Sequence, residues 1–172
     1  MKQYNDKFND LLETKVLVEI PKEEEDSYTG PVHYVNHHEV LKPESSSTPF
    51  RLVINPSLKF HGVSPNDVWM IGPNTLNHMI GILLHLRTHK VALIGEIKEM
   101  YNMIHTTPKE KHMRRVVWRF GRTGEAFATF GIDVVMFGDA PATAMSSIVV
   151  CETAEIYKDI NQDAASVIQE DT

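Results

Sequence analysis

Cysteine is almost missing from this chain: Cys151 is the only one in 172 residues. That excludes an internal disulfide and a zinc site built from several cysteines. Cys151 lies in an apolar run and reads as a buried, inert thiol. Long apolar runs are missing as well. The longest, residues 79–84, is far too short to span a bilayer. The N-terminus, Met1-Lys-Gln-Tyr-Asn-Asp6, has no signal-peptide core, so an intracellular protein of cytoplasm or nucleus is expected. Neither Gly-x-x-x-x-Gly-Lys-Ser/Thr nor Gly-x-Gly-x-x-Gly after a strand is present to hold phosphates. His-Glu-x-x-His and Gly-x-Ser-x-Gly are also absent, which leaves a helical zinc protease site and a hydrolase elbow without support. There is no internal repeat.

The residues present can bury a core, since 42% are apolar. Net charge is −6, but it is unevenly spread. Residues 85–122 hold nine Lys/Arg against three Glu, whereas the segments before and after are acidic. A basic middle in an acidic chain fits either a solvated charged hairpin or a nucleic-acid contact.

Periodicity outlines the elements. Tyr4, Phe8, Leu11 and Leu12 share one face of a short helix. Residues 22–26 are charged and close in a Gly30-Pro31 turn. Strands are expected over 32–41 and 51–54, with a serine-rich loop over 43–49 and another loop over 60–67. Asn74 or Thr75 can cap a helix running to about Leu86. Residues 91–97 read as a buried strand ending near Glu96. Thr107-Pro-Lys-Glu110 carries a capping-box start. A hairpin through Gly121-Arg-Thr-Gly124 joins strands over 115–120 and 127–135, and helices follow over 142–157 and 163–170. The order predicts an α+β fold, with an antiparallel sheet and helices on one face.

Among chemistry-bearing residues, His33, His37 and His38 sit on an expected strand whose neighbours point to opposite faces, so they make a poor metal cluster. Glu96 at a strand end, Arg51 on another strand, Tyr101 and the Phe137-Gly138 turn remain. A carboxylate metal site for phosphoryl transfer needs at least one more acid and a cation for the phosphates. Arg51 suits the second role through its forked guanidinium. The second acid is not evident, and these residues taken alone also fit a purely structural role.

From Tyr34 onward the order of motifs resembles the reverse transcriptase domain of Pao/BEL-type LTR retrotransposons. Tyr34-Val-Asn-His-His-Glu-Val-Leu-Lys-Pro43 is similar to the family's Tyr-x-Pro-His-His-x-Val-x-Lys-Pro. Arg51-Leu-Val-Ile-Asn-Pro-Ser57 resembles Arg-Val-Val-Phe-Asp-Ala-Ser. Val63-Ser-Pro-Asn-Asp67, Ile71-Gly-Pro73, Ile82-Leu-Leu-His-Leu-Arg87, the stretch Lys90 to Tyr101, Val117-Trp-Arg119 and Phe137-Gly138 follow in register. The resemblance implies a partial right-handed polymerase, an incomplete domain over residues 1–172. Residues 1–90 would be mainly fingers and 91–172 mainly palm, with some interleaving. It implies RNA-directed DNA polymerase chemistry using Mg²⁺, a nucleotide and an RNA/DNA primer–template. Arg51 stands at the fingers arginine on the triphosphate, and Lys42 at a fingers lysine. Glu96 stands at the first catalytic, metal-binding aspartate, Tyr101 at the gate under the sugar, and Phe137-Gly138 under the template-paired nucleotide.

Departures from the pattern point away from activity. Glu96 replaces Asp, which carries the carboxylate about 1.5 Å further out, while Mg²⁺ demands tight octahedral geometry. A displacement of about 1 Å can cost on the order of 10²-fold in rate. Phe-Gly-Thr-x-Ser-Ala-Pro is shortened to Phe137-Gly-Asp-Ala-Pro141, and Asn55 replaces an aspartate. The segment 163–172 resembles the helix just before Tyr-Val-Asp-Asp, and that motif, the thumb and RNase H are not in these residues. The expectation is an inactive fragment of a retroelement polymerase. The alternative is a non-catalytic module binding nucleic acid or protein, with Arg114 and Arg115 as the nucleic-acid contacts.

Overall fold

Tyr4 and Phe8 do anchor one face of a helix, Lys2–Glu13 (α1), in a computed structural model that describes residues 1–45, 49–88, 90–92, 94–121, 124 and 126–171. The chain continues through Leu17–Glu19 (β1), Lys22–Ser27 (α2), Asn36–Leu41 (β2), Phe50–Asn55 (β3), Pro65–Val68 (α3) and Met79–Leu86 (α4). Two 3-10 turns, Met100–Met103 and Glu110–Arg114, lead into Arg115–Trp118 (β4) and Ala128–Ile132 (β5). Ala142–Ile156 (α5) and Gln162–Asp171 (α6) close the described chain. The mixed α/β character expected from the sequence is present, in small antiparallel sheets. β5 is the centre of a three-stranded sheet, β1-β5-β4, and β2 pairs with β3 separately. Because Leu17 pairs with Ile132 and Val116 with Phe130, residues 17–19, 115–118 and 128–132 share one sheet.

Side-chain alternation gives that sheet two different faces. Phe130 and Ile132 join Val116 and Leu17 under α1, in a core completed by Phe8, Val16, Val35, Ile54 and Val134. The rings of Phe8 and Phe130 meet edge to face at 5.1 Å between centroids. Thr129 and Gly131 face the other way. At Gly131 an added Cβ would lie 2.8 Å from the Cβ of Lys111, so the glycine is what lets the 3-10 turn Glu110–Arg114 cross the strand. Helical segments therefore cover both faces, where the sequence pointed to one.

The acidic helix α2, unannounced by periodicity because it buries no residue, is placed by charge. Glu24 lies 2.7 Å from Lys111 Nζ and 3.2 Å from His112 Nε2. Glu25 accepts from Tyr34 Oη at 2.9 Å and Thr129 Oγ1 at 3.0 Å, with Arg115 at 3.7 Å. The Lys111 hydrogen bond holds the Glu24 carboxyl below its ordinary value of 4.5. Burial pushes Glu25 up, but bonds from Tyr34 and Thr129 outweigh it, and the result is also lowered. A carboxyl with a depressed folded pKa stabilises above its unfolded pKa and loses that contribution as pH falls through the folded value. Acid titration from pH 5 downward should therefore loosen α2 before the sheet, read as earlier loss of amide protection at 22–28 than at 128–132. Simultaneous loss would show that these contacts do not hold α2.

Several expectations change. Residues 91–97 form no strand in their described part, and Val91 and Ile94 are 73% and 91% exposed. A buried strand needs ladder partners for its N–H and C=O groups. No described strand pairs with the described part of 91–97: β5 pairs with β1 and β4, and β2 with β3. Leu93, residues 46–48 of the serine loop, and Arg122 and Thr123 of the hairpin turn lie outside the described residues. The helix expected from Asn74 starts only at Met79, because Asn74 Oδ1 accepts the Leu76 N–H at 3.3 Å in a local turn that competes with helix. The expected loop over 60–67 ends in α3, which has a Ser64/Asp67 capping box. At Thr107, half of the expected box forms: its N–H donates to Glu110 Oε2 at 2.8 Å. Among the described residues no helix is long and apolar enough to cross a membrane.

Candidate active-site groove

An open groove of about 760 Å³ gathers part of the expected site. Glu96, Tyr101 and Phe137 all line it, although 91–97 is not a strand. Tyr101 reaches it from the 3-10 turn Met100–Met103, which Glu99 enters with φ +52°, a left-handed conformation unusual for a non-glycine residue. The Tyr101 and Phe137 rings lie 6.3 Å apart and tilted by 52°. Phe137 is 80% exposed, held at the tip of a turn in which Gly138 takes φ +98°. Leu52 and Met136 contribute apolar surface.

The remaining wall comes from α1, which presents Lys7, Asp10, Leu11 and Thr14. Lys7 and Asp10 lie on the polar side of this amphipathic helix and Leu11 belongs to its apolar face, and nothing in a helical period separates such a wall from ordinary surface. The groove thus holds three carboxylates, of Asp10, Glu96 and Glu99, and one ammonium, of Lys7. Lys7 already lies 3.6 Å from Asp10. The balance disfavours a bare triphosphate.

The expected cations do not reach this groove. Arg51 is exposed on β3 and alternates with Leu52, so it lies on the other side of the strand from the residue that lines the wall. Lys42 follows β2 and is exposed, its N–H donating to the Pro49 carbonyl at 2.8 Å. Hard oxygen ligands such as these carboxylates suit Mg²⁺ in kind. Among the described residues, however, no three His, Cys, Asp or Glu side chains are grouped to hold a metal ion, so the residues present do not make a two-metal site.

Arg114 and Arg115 are buried, at 3% and 2% exposure, and do not offer themselves to a duplex. Arg114 donates through Nη1 to Asp139 Oδ2 at 2.9 Å and the Val134 carbonyl at 2.7 Å, and through Nη2 to Thr106 Oγ1 at 2.7 Å. Its guanidinium also lies 5.5 Å from the Trp69 ring centroid. Arg115 contacts His112 Nδ1 at 2.8 Å and lies near the Tyr28 and Tyr34 rings. The basic middle is in part an internal counter-charge to α2 and Asp139, a pairing that charge counting along the chain cannot reveal.

His37 is a structural residue of the same kind. Its Nε2 is 3.2 Å from the Val117 carbonyl, which can only accept, so Nε2 donates and Nδ1 accepts from the Tyr4 hydroxyl. Burial lowers the His37 pKa, and burial with Glu39 nearby pushes Tyr4 up to about 12.

A scan against protein-family models finds no match for this chain, and a search of curated proteins finds none either.

Proposed function

We propose that these residues are the fingers and part of the palm of a Pao/BEL-type RNA-directed DNA polymerase, and that the 172-residue polypeptide does not polymerise by itself. The motif order from Tyr34 to Gly138 is the basis of the family reading. The observation that supports it in three dimensions is the meeting of Glu96, Tyr101 and Phe137 along one groove, from distant parts of the chain. In such a polymerase Mg²⁺ ions lower the charge on the attacking and leaving oxygens, and the protein positions the reactants. Here Tyr101 and Phe137 would form the sugar and base contacts, and Glu96 would be one metal ligand with a side chain too long for its task. Arg51 and Lys42 would have to swing, or the β2–β3 hairpin close, to reach a triphosphate in the groove.

Primer extension with the 172-residue chain, in Mg²⁺ or Mn²⁺, is expected to give no product. Templated extension abolished by Glu96→Gln would overturn the inactive reading. The family assignment is tested on the gene: a Tyr-x-Asp-Asp codon series in frame shortly after codon 172 supports it, and an unrelated or closed frame counts against it.

A further inference from the structure

Phe137 is an exposed aromatic on a glycine turn, yet that turn is held by a residue some seventy positions earlier in the chain. Asn66, in the four-residue helix α3, reaches it with both ends of its amide. Its Nδ2 donates to the Gly138 carbonyl at 2.8 Å, and its Oδ1 accepts the Ala140 N–H at 2.9 Å. The same Nδ2 donates to Ser57 Oγ at 2.9 Å, just past β3. One side chain thus links the β2–β3 hairpin, α3 and the turn that carries Phe137.

The support around Asn66 is itself rigid. Ser64 donates through its N–H and Oγ to Asp67 Oδ2 at 2.9 and 2.8 Å, and Lys59 lies 3.3 Å from the same carboxylate. Pro65 is buried and fixes φ at the first helical position. On its other side the turn is pinned by Asp139, whose Oδ2 accepts the Met136 N–H at 2.9 Å. A Cβ on Gly138 would meet Pro56 at an ordinary 3.6 Å, so it is the left-handed φ of +98° that calls for glycine here. A carboxamide carries an acceptor and a donor on separate atoms, so Oδ1 can serve Ala140 while Nδ2 serves Gly138.

We propose that Asn66 is a positioning residue for the groove: it fixes the turn 138–140 and thereby the height of the Phe137 ring beside Tyr101. What Phe137 touches rests on the polymerase reading; the latch does not. Two substitutions separate its two halves. Asn66→Ala removes every bond, whereas Asn66→Asp keeps the acceptor for Ala140 and loses the donor to Gly138 and Ser57.

The test is amide exchange and ring-proton NMR on the full chain, followed by titration with dGTP and Mg²⁺. Ala140 N–H exchange should speed up about tenfold in Asn66→Ala, the scale of one lost hydrogen bond, and stay near wild type in Asn66→Asp. β4–β5 amides should be unchanged in both. The Phe137 ring shifts should move toward random-coil values in Asn66→Ala. Unchanged Ala140 exchange and ring shifts in that variant, or an equal rise across β4–β5, would overturn the latch. Weaker dGTP binding to the variant than to wild type supports the positioning role, and equal binding overturns it. If wild type binds no dGTP while the exchange and ring signatures appear, the latch stands and the polymerase reading of the groove falls.

Discussion

Replacing Arg114 by methionine should cost roughly 3–5 kcal/mol of stability, the usual consequence of removing one partner of a buried ion pair. That is a large part of the roughly 5–15 kcal/mol that a folded domain typically has. Both partners are nearly inaccessible, and Asp139 Oδ1 and Arg114 Nε already have no hydrogen-bond partner among the described residues. The two single substitutions should differ with pH. Burial pushes the Asp139 carboxyl above its ordinary value despite the guanidinium beside it. With Arg114 gone that carboxyl rises further and can protonate, so the loss in Arg114→Met should be smaller at pH 5 than at pH 8. Asp139→Asn leaves a guanidinium that cannot deprotonate, so its loss should persist across that range. In wild type the raised carboxyl gives its full contribution below its unfolded pKa and loses it as pH rises through the folded one, opposite in sign to Glu24 and Glu25. The double substitution Arg114→Met/Asp139→Leu should recover part of the stability, because it removes the unpaired charge while the Val134 carbonyl and Met136 N–H still lose their partners. Urea denaturation at the two pH values measures all of this. Small, additive losses would mean that the pair is solvated.

Phe8→Ala carries the second large effect, about 3–5 kcal/mol from a cavity in the aromatic core. Phe8 is 1% exposed, and its ring meets those of Trp118, Phe120 and Phe130 at 5.8, 5.6 and 5.1 Å. The damage should reach the groove, because Lys7, Asp10 and Leu11 stand on the same helix and Thr14 caps it. Trp118 reports it directly: it stacks on Tyr4 at 4.5 Å and donates through Nε1 to Asn5 Oδ1 at 3.1 Å. Its emission should shift to the red in Phe8→Ala before the sheet unfolds in urea. Phe8→Leu should cost less, since most of the volume is kept. Coincident loss of Trp118 emission and sheet signal, with no early step, would show that α1 and the sheet unfold as one unit.

What was legible in the sequence was local. The helical spacing of Tyr4, Phe8, Leu11 and Leu12, the strands expected over 32–41 and 51–54, and the apolar hairpin strands all depend on neighbours along the chain, and strands formed at 36–41, 50–55, 115–118 and 128–132. The helix over 142–156 formed for the same reason. Element ends were less legible where a side chain competed with the backbone, as Asn74 does before α4. The strand at 91–97 failed because an apolar run specifies burial without supplying a partner, and no described strand pairs with it. The candidate site was legible in part: Glu96, Tyr101 and Phe137 converge, while Arg51 and Lys42 do not.

The sequence by itself determined α1, the two hairpins and α5, the aromatic core face of α1 and the order of motifs from Tyr34 to Gly138, because these reside in spacing and residue type. Only the tertiary structure decided where charge ends up. It buried Arg114 against Asp139, set α2 against Lys111 and Arg115, made α1 a wall of the groove and placed Asn66 on the Phe137 turn. Each is a contact between residues far apart in the chain, and its energy depends on desolvation and geometry that no single segment contains.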